Sequence, residues 1–199
     1  VPSMAMSGFF AQSFLTRDNY QDLLKDCFQT IKLFGSKVAF LPLGGSGKDW
    51  QQEGCAAYQQ MVSRLRTAGE MAKQEGITIG IRTGMGAKFD KKLLKKVGSS
   101  QIKVYYNFQD AADHHRDICK ELRKLGAQRI VQIHASNTDS VNLQEDPEIN
   151  LPKIRKTLDK MKWSGWLVVE RSRDVKRVRD VKYNFGRNIA YLKQVFQER

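Results

Sequence analysis

The chain has 199 residues, of which 41% are hydrophobic, 10% aromatic and 28% charged, a composition that supports one substantial core and excludes extended disorder. No apolar run is long enough to cross a bilayer. The net charge of +13 admits nucleic acid, an anionic membrane or a phosphorylated small molecule as partner, but the basic residues are spread over most segments and cluster only in ERSRDVKRVRDVK at 170–182.

The opening stretch, VPSMAMSGFFAQSFL, carries no basic flank before Arg17. It does not read as a signal peptide, and a cytoplasmic protein is expected. Within it, SMAMSG predicts a first strand. NYQDLLKDCFQTIKLFG places Tyr20, Leu23, Leu24, Cys27, Phe28 and Ile31 on one helical face and stops at Gly35. SKVAFLPL follows as a strand. YQQMVSRLRTAGEMAKQEG repeats the helical spacing and stops at Gly76, and ITIGIRT alternates as a strand. FDKKLLKKVG is a short helix, IKVYYNF a strand, DICKELRKLG a helix and RIVQIHA a strand. NLPKIRKTLDKMKWSG has Asn150 as N-cap, Pro152 in its first turn and Gly165 as its stop. WLVVERS is the last strand, and GRNIAYLKQVFQ closes the chain as a helix. Cys27, Cys55 and Cys119 have neither metal nor disulfide spacing and read as free thiols.

Strand and helix alternate without hairpin signals, which is the pattern of a parallel sheet with about six βα units. An open doubly wound sheet and a closed barrel both fit that count. The strand tips carry the chemistry. One face of each late strand reads Thr78, Gly80, Arg82; Lys103, Tyr105, Asn107; Ile130, Gln132, His134; and Trp166, Val168, Glu170. Each series ends in a polar side chain at the C-terminal tip, where parallel α/β proteins keep their sites.

INLPKIRKTLDKMKWSGWLVVE, RLRTAGEMAKQEGITIGI, VGSSQIKVYYNFQDA and RIVQIHASN resemble stretches of the xylose isomerase-like TIM barrels, the sugar phosphate isomerase/epimerase group. The resemblance covers nearly the whole chain and implies a single domain over 1–199, a (β/α)8-type barrel truncated to about six units, with SMAMSGFFAQSF similar to the third strand and the N-terminal part of the barrel missing. A fragment, a truncated chain and a chain that fills its gap through a second copy all fit, and an open wall of that kind exposes apolar edges, an association hazard. In the family, the last four strand tips give Glu, Asp, His and Glu to a divalent metal, and the glutamates move protons beside the sugar carbonyl. Those positions here are Arg82, Asn107, His134 and Glu170.

Two of the four ligands are therefore kept. A guanidinium offers no lone pair and repels a cation, and Asn offers only a neutral oxygen. The resemblance implies a manganese, magnesium, cobalt or zinc site of His134, Glu170 and Asn107 that is weak or lost, with Arg82 replacing the cation and pairing with Glu170.

Three functions follow. The first is a sugar or sugar-phosphate isomerase or epimerase, with Glu170 as acid/base, His134 beside it, Arg82 on the enediolate oxygen, and Arg82, Asn107, Arg173 and Lys48 as substrate contacts. The alternative is an inactive barrel that binds a sugar phosphate or other anion through Arg82 and the basic residues Arg171, Arg173, Lys176 and Arg177. The third is a nucleic-acid enzyme. It is disfavoured, because such relatives need several metals and this chain has three histidines, two of them the adjacent pair His114 and His115, which are expected in solvent. GGSGKD at 44–49 lacks the Ser or Thr of a phosphate loop and reads as a loop at the mouth. Trp163 and Trp166 are expected to pack.

Overall fold

The computed structural model describes residues 1–43 and 49–198; Lys48 and its glycine-rich loop lie outside the described residues. Two compact units emerge, Val1–Tyr105 with Arg129–Val131, and Tyr106–Gln128 with Gln132–Arg199. Six strands follow one another in sequence order within one sheet, and the strands pair in parallel. This is the strand and helix order of a truncated TIM-type barrel.

The first unit opens with β1 (Met4–Ala5) and the short α1 (Gly8–Ala11), and continues through α2 (Tyr20–Leu33), β2 (Val38–Pro42), α3 (Ala56–Glu75), β3 (Thr78–Arg82) and α4 (Ala87–Val97). On α2 the buried positions are Tyr20, Leu24, Phe28 and Ile31, the one-face spacing that a core helix needs. The Cys55 sulfur accepts from the Tyr58 N–H at 3.3 Å and caps α3. That helix stops at Gly76, whose φ of 66° is a left-handed conformation open to glycine at no steric cost. One apolar cluster runs from Met6 to Ile102 through α2, β2, α3 and β3.

Gly80 leaves the face of β3 that it shares with Thr78 and Arg82 without a side chain at its middle. Its register neighbour on β2 is Phe40, and the Phe40 and Tyr105 rings lie 4.8 Å apart. A Cβ on Gly80 would meet Val131 Cγ1 at 2.8 Å and Tyr105 Cβ at 3.1 Å. The glycine leaves room for the rings to meet.

Strand β4 (Ile102–Asn107) and β5 (Ile130–His134) each contribute residues to both units. The second unit holds α5 (Phe108–Ala112), α6 (Ile118–Leu125), α7 (Leu151–Lys160), β6 (Leu167–Val168) and α8 (Val181–Phe196). Asn150 caps α7 as its spacing predicts, its side-chain oxygen accepting from the Lys153 N–H at 2.9 Å. The stop differs from expectation. The helix ends at Lys160 with Met161 as its C-cap, and Lys162 takes the left-handed turn with φ 52°. Gly165 serves a different purpose, since a Cβ there would lie 2.5 Å from the Trp163 ring.

Helix α8 begins five residues before the sequence pattern placed it. Asp180 caps it by accepting from the Tyr183 N–H at 3.0 Å, so Gly186 sits inside the helix. Strand β6 is two residues long and only half-buried. Beside it, Trp166, Phe185, Ile189 and Phe196 line an apolar groove of about 500 Å³. Trp166 is 62% exposed and does not pack as expected. The three cysteines are free.

Candidate active site

Asn107, His134 and Glu170 converge within the second unit. Asn107 is the last residue of β4 and also the N-cap of α5, where its Oδ1 accepts from the Gln109 N–H at 2.8 Å. That bond fixes the amide and turns Nδ2 toward His134 Nδ1, 3.5 Å away. His134 is the last residue of β5. Its Nδ1 also faces Glu170 Oε2 at 3.6 Å, with the imidazole 9% exposed and the carboxylate 46% exposed.

The two partners ask different things of Nδ1. An amide N–H donates to an unprotonated Nδ1, whereas a carboxylate favours a protonated one. The site therefore couples a buried imidazole to a carboxylate that reaches water, a pairing suited to proton transfer at the carboxylate.

Glu170 lies beyond the end of β6 and depends on its surroundings for placement. Its N–H donates to Ser136 Oγ at 3.4 Å. Two residues on, Ser172 is fully buried and left-handed, with φ 71°. Its Oγ accepts from the Asn137 N–H at 2.7 Å. Its carbonyl accepts from Asn188 Nδ2 at 2.7 Å and from Asn142 Nδ2 at 3.2 Å. Sequence reasoning does not find these groups. A signal exists in Asn184 and Asn188, four apart and in line with Leu192 on the buried face of α8, but a helix started at Gly186 leaves Asn184 outside it.

The remaining expected residues are placed as follows. Arg82 closes β3 in the first unit and is half-buried. The Arg173 guanidinium holds Asp139 in a two-pronged pair at 2.9 and 2.5 Å. That hydrogen-bonded guanidinium draws the Asp139 carboxyl below its usual range. Arg171 is exposed, and so are Lys176, Arg177, His114 and His115. Lys48 lies outside the described residues.

The donor set of the second unit does not fit a full divalent site. It offers one imidazole and one carboxylate, and the Asn107 oxygen is already engaged as a helix cap. Among the described residues no three His, Cys, Asp or Glu side chains gather as metal ligands, and hard cations call for several anionic oxygens. No helix among the described residues is long and apolar enough to cross a membrane.

The profile of the xylose isomerase-like TIM barrels matches residues 4–195. Among solved structures, a sugar phosphate isomerase/epimerase from Parabacteroides distasonis is similar with a TM-score of 0.74 at 15% identity, over 97% of this chain and 70% of that one. A D-psicose 3-epimerase from Clostridium cellulolyticum gives 0.73 at 13% identity, over 90% and 71%. A 3-keto-D-glucoside 4-epimerase from E. coli gives 0.73 at 11% identity, over 98% and 79%. At these identities the likeness speaks for the fold. No curated protein sequence matches the chain.

Proposed function

Since the chain belongs to the xylose isomerase-like TIM barrel family, we propose that it is a sugar or sugar-phosphate isomerase or epimerase that moves a proton beside a carbonyl. The observation that carries this reading is the water-accessible Glu170 carboxylate set 3.6 Å from the buried His134 imidazole. The epimerases and isomerases among the similar structures support the substrate class.

Glu170 is the proton carrier in this reading. Its carboxylate takes the proton from the carbon next to the carbonyl and returns it to the former carbonyl carbon, while the hydroxyl proton passes from the adjacent oxygen to the former carbonyl oxygen. His134 keeps the carboxylate oriented, and Asn107 keeps the imidazole oriented. Arg82 is assigned from its place in the family pattern, as the cation that steadies the developing enediolate oxygen. Asn107 and Arg82 are assigned to substrate binding on the same ground, Arg173 as a cation near the last strand that already holds Asp139, and Lys48 as part of a loop at the mouth. One carboxylate suits a single base that takes and returns a proton, as in an aldose–ketose shift, better than a two-base inversion. The substrate is a small molecule in the cytoplasm rather than nucleic acid.

A panel of aldoses, ketoses and their phosphates, followed by NMR with the folded protein, tests the reading. Interconversion lost in Glu170→Gln is expected; no interconversion across the panel sinks it. Metal counting after incubation with manganese, magnesium, cobalt or zinc separates the two forms of the site. The proposal expects substoichiometric metal in the wild type and more in Arg82→Glu. The second reading, an inactive anion-binding barrel, is favoured by the incomplete donor set. Thermal protection by sugar phosphates without turnover would establish it.

A further inference from the structure

We infer that Asn184 and Asn188 of α8 are positioning residues for the Glu170 carboxylate, acting through the segment that follows it, at Asp174 and Ser172. This rests on the reading that Glu170 is the acid/base group.

Most strands place their tip residues through their own packing. Strand β6 cannot do so, because it is two residues long and half-buried, and Glu170 falls past its end. What fixes the segment after it is a buried amide network. Asn188 Nδ2 donates to the Ser172 carbonyl at 2.7 Å, and Asn188 Oδ1 accepts from the Leu143 N–H at 2.8 Å. Asn184 Oδ1 accepts from Asn142 Nδ2 at 2.9 Å and from the Asp174 N–H at 2.8 Å. Asn184 Nδ2 donates to the carbonyls of Arg177 and Asp180 at 2.7 and 2.9 Å. Both side chains are at most 1% exposed.

Two asparagines one turn apart thus tie three pieces of chain to α8: the loop after β5 at Asn142 and Leu143, the segment after Glu170 at Ser172 and Asp174, and the turn at Arg177. The left-handed φ of Ser172 is a conformation that a non-glycine residue keeps only when its surroundings hold it there. Here three hydrogen bonds do so, two to its carbonyl and one to its hydroxyl. With the Glu170 N–H tied to Ser136 Oγ at 3.4 Å, the segment is held on both sides of Arg171. Asparagine suits this role because a single amide offers both donors and an acceptor. An apolar residue of that size would fill the space and leave the loops untied.

The test uses Asn188→Asp, which keeps the shape and loses the donor to the Ser172 carbonyl. The chain has three histidines, so the His134 imidazole signal is assigned with a His134→Gln variant. The change that Glu170→Gln makes in that signal then defines the signature of the His134–Glu170 contact. Asn188→Asp is expected to reproduce at least half of that change, while amide signals of the first unit stay in place. This readout needs no turnover, so it stands even if no sugar is converted and the functional reading fails. Where a sugar is converted, kcat is expected to fall by about 10-fold or more with KM within about 2-fold, the pattern of a displaced reacting group rather than lost binding. A folded Asn188→Asp protein with the wild-type His134 signal overturns the inference. Should that variant not fold, Asn188→Ala serves, since it buries no charge, suits a helix and removes the bond to the Ser172 carbonyl. It is expected to move the His134 signal the same way, and an unmoved signal overturns the inference equally.

Discussion

The two units bury different chemistry. Of the fourteen buried polar or charged residues among those described, only Ser36, Thr83 and Asp90 fall in the first unit, while eleven, from Asn107 to Asn188, fall in the second. The first unit is held by apolar side chains meeting across α2, β2, α3 and β3. The second buries amides and hydroxyls among its apolar side chains, and several of them tie loops to α8. Apolar burial is non-directional and stabilises without fixing a loop in one geometry. A buried amide is costly unless its groups are paired, and the paired amides of Asn184 and Asn188 favour one arrangement. The unit that carries His134 and Glu170 is the one built for that.

The contrast can be broken by substitution. Phe28→Ala removes a ring that is 2% exposed in the first core and is expected to cost about 3–5 kcal/mol, read as a lower urea midpoint at unchanged slope. A loss below about 1 kcal/mol would mean that this core is not what holds the first unit. Asn184→Ala takes the acceptor from the Asp174 N–H and one of two bonds from Asn142 Nδ2 and from the carbonyls of Arg177 and Asp180, and is expected to cost about 1–3 kcal/mol, the penalty for unpairing buried polar groups. If it matches a surface substitution, the network is ornamental. Gly80→Ala drives a methyl against Val131 and Tyr105 and is expected to cost about 1–3 kcal/mol by overpacking. A neutral result would show that the Phe40–Tyr105 contact has slack.

The smallest expected effect concerns pH. Burial pushes the Cys27 thiol up from 9.0 to about 11. A group whose folded pKa is raised keeps its proton longer in the folded state, so its contribution is full below about pH 9 and fades as the pH rises toward about 11. The wild type should lose stability across that window more steeply than Cys27→Ala. Parallel curves would show that the thiol is not buried in solution.

Much of the fold is legible in the sequence because the helices advertise one apolar face and the strands alternate. Tyr20, Leu24, Phe28 and Ile31 announce α2 by spacing alone. The errors lie where spacing says little. Lys162 ends α7 in a left-handed turn that lysine does not signal, and Gly165 looks like a stop because its real reason, the Trp163 ring, is a contact the sequence does not display. Asn107, His134 and Glu170 are legible as polar strand tips, and the structure brings them together. Asn184, Asn188 and Ser172 are not, because a buried asparagine and an exposed one look alike until the loops they tie are in place.

The central claim is that Glu170 moves a proton beside a sugar carbonyl. The direct measurement is incorporation of solvent deuterium into the carbon next to the carbonyl, followed by NMR in heavy water with ketoses, aldoses and their phosphates, for the wild type and Glu170→Gln. The account predicts deuterium uptake by at least one sugar with the wild type and a loss of about 100-fold or more in the variant, within the range that a positioned acid/base group supplies. Uptake that survives in Glu170→Gln, or no uptake by any sugar while the protein is folded, would contradict it.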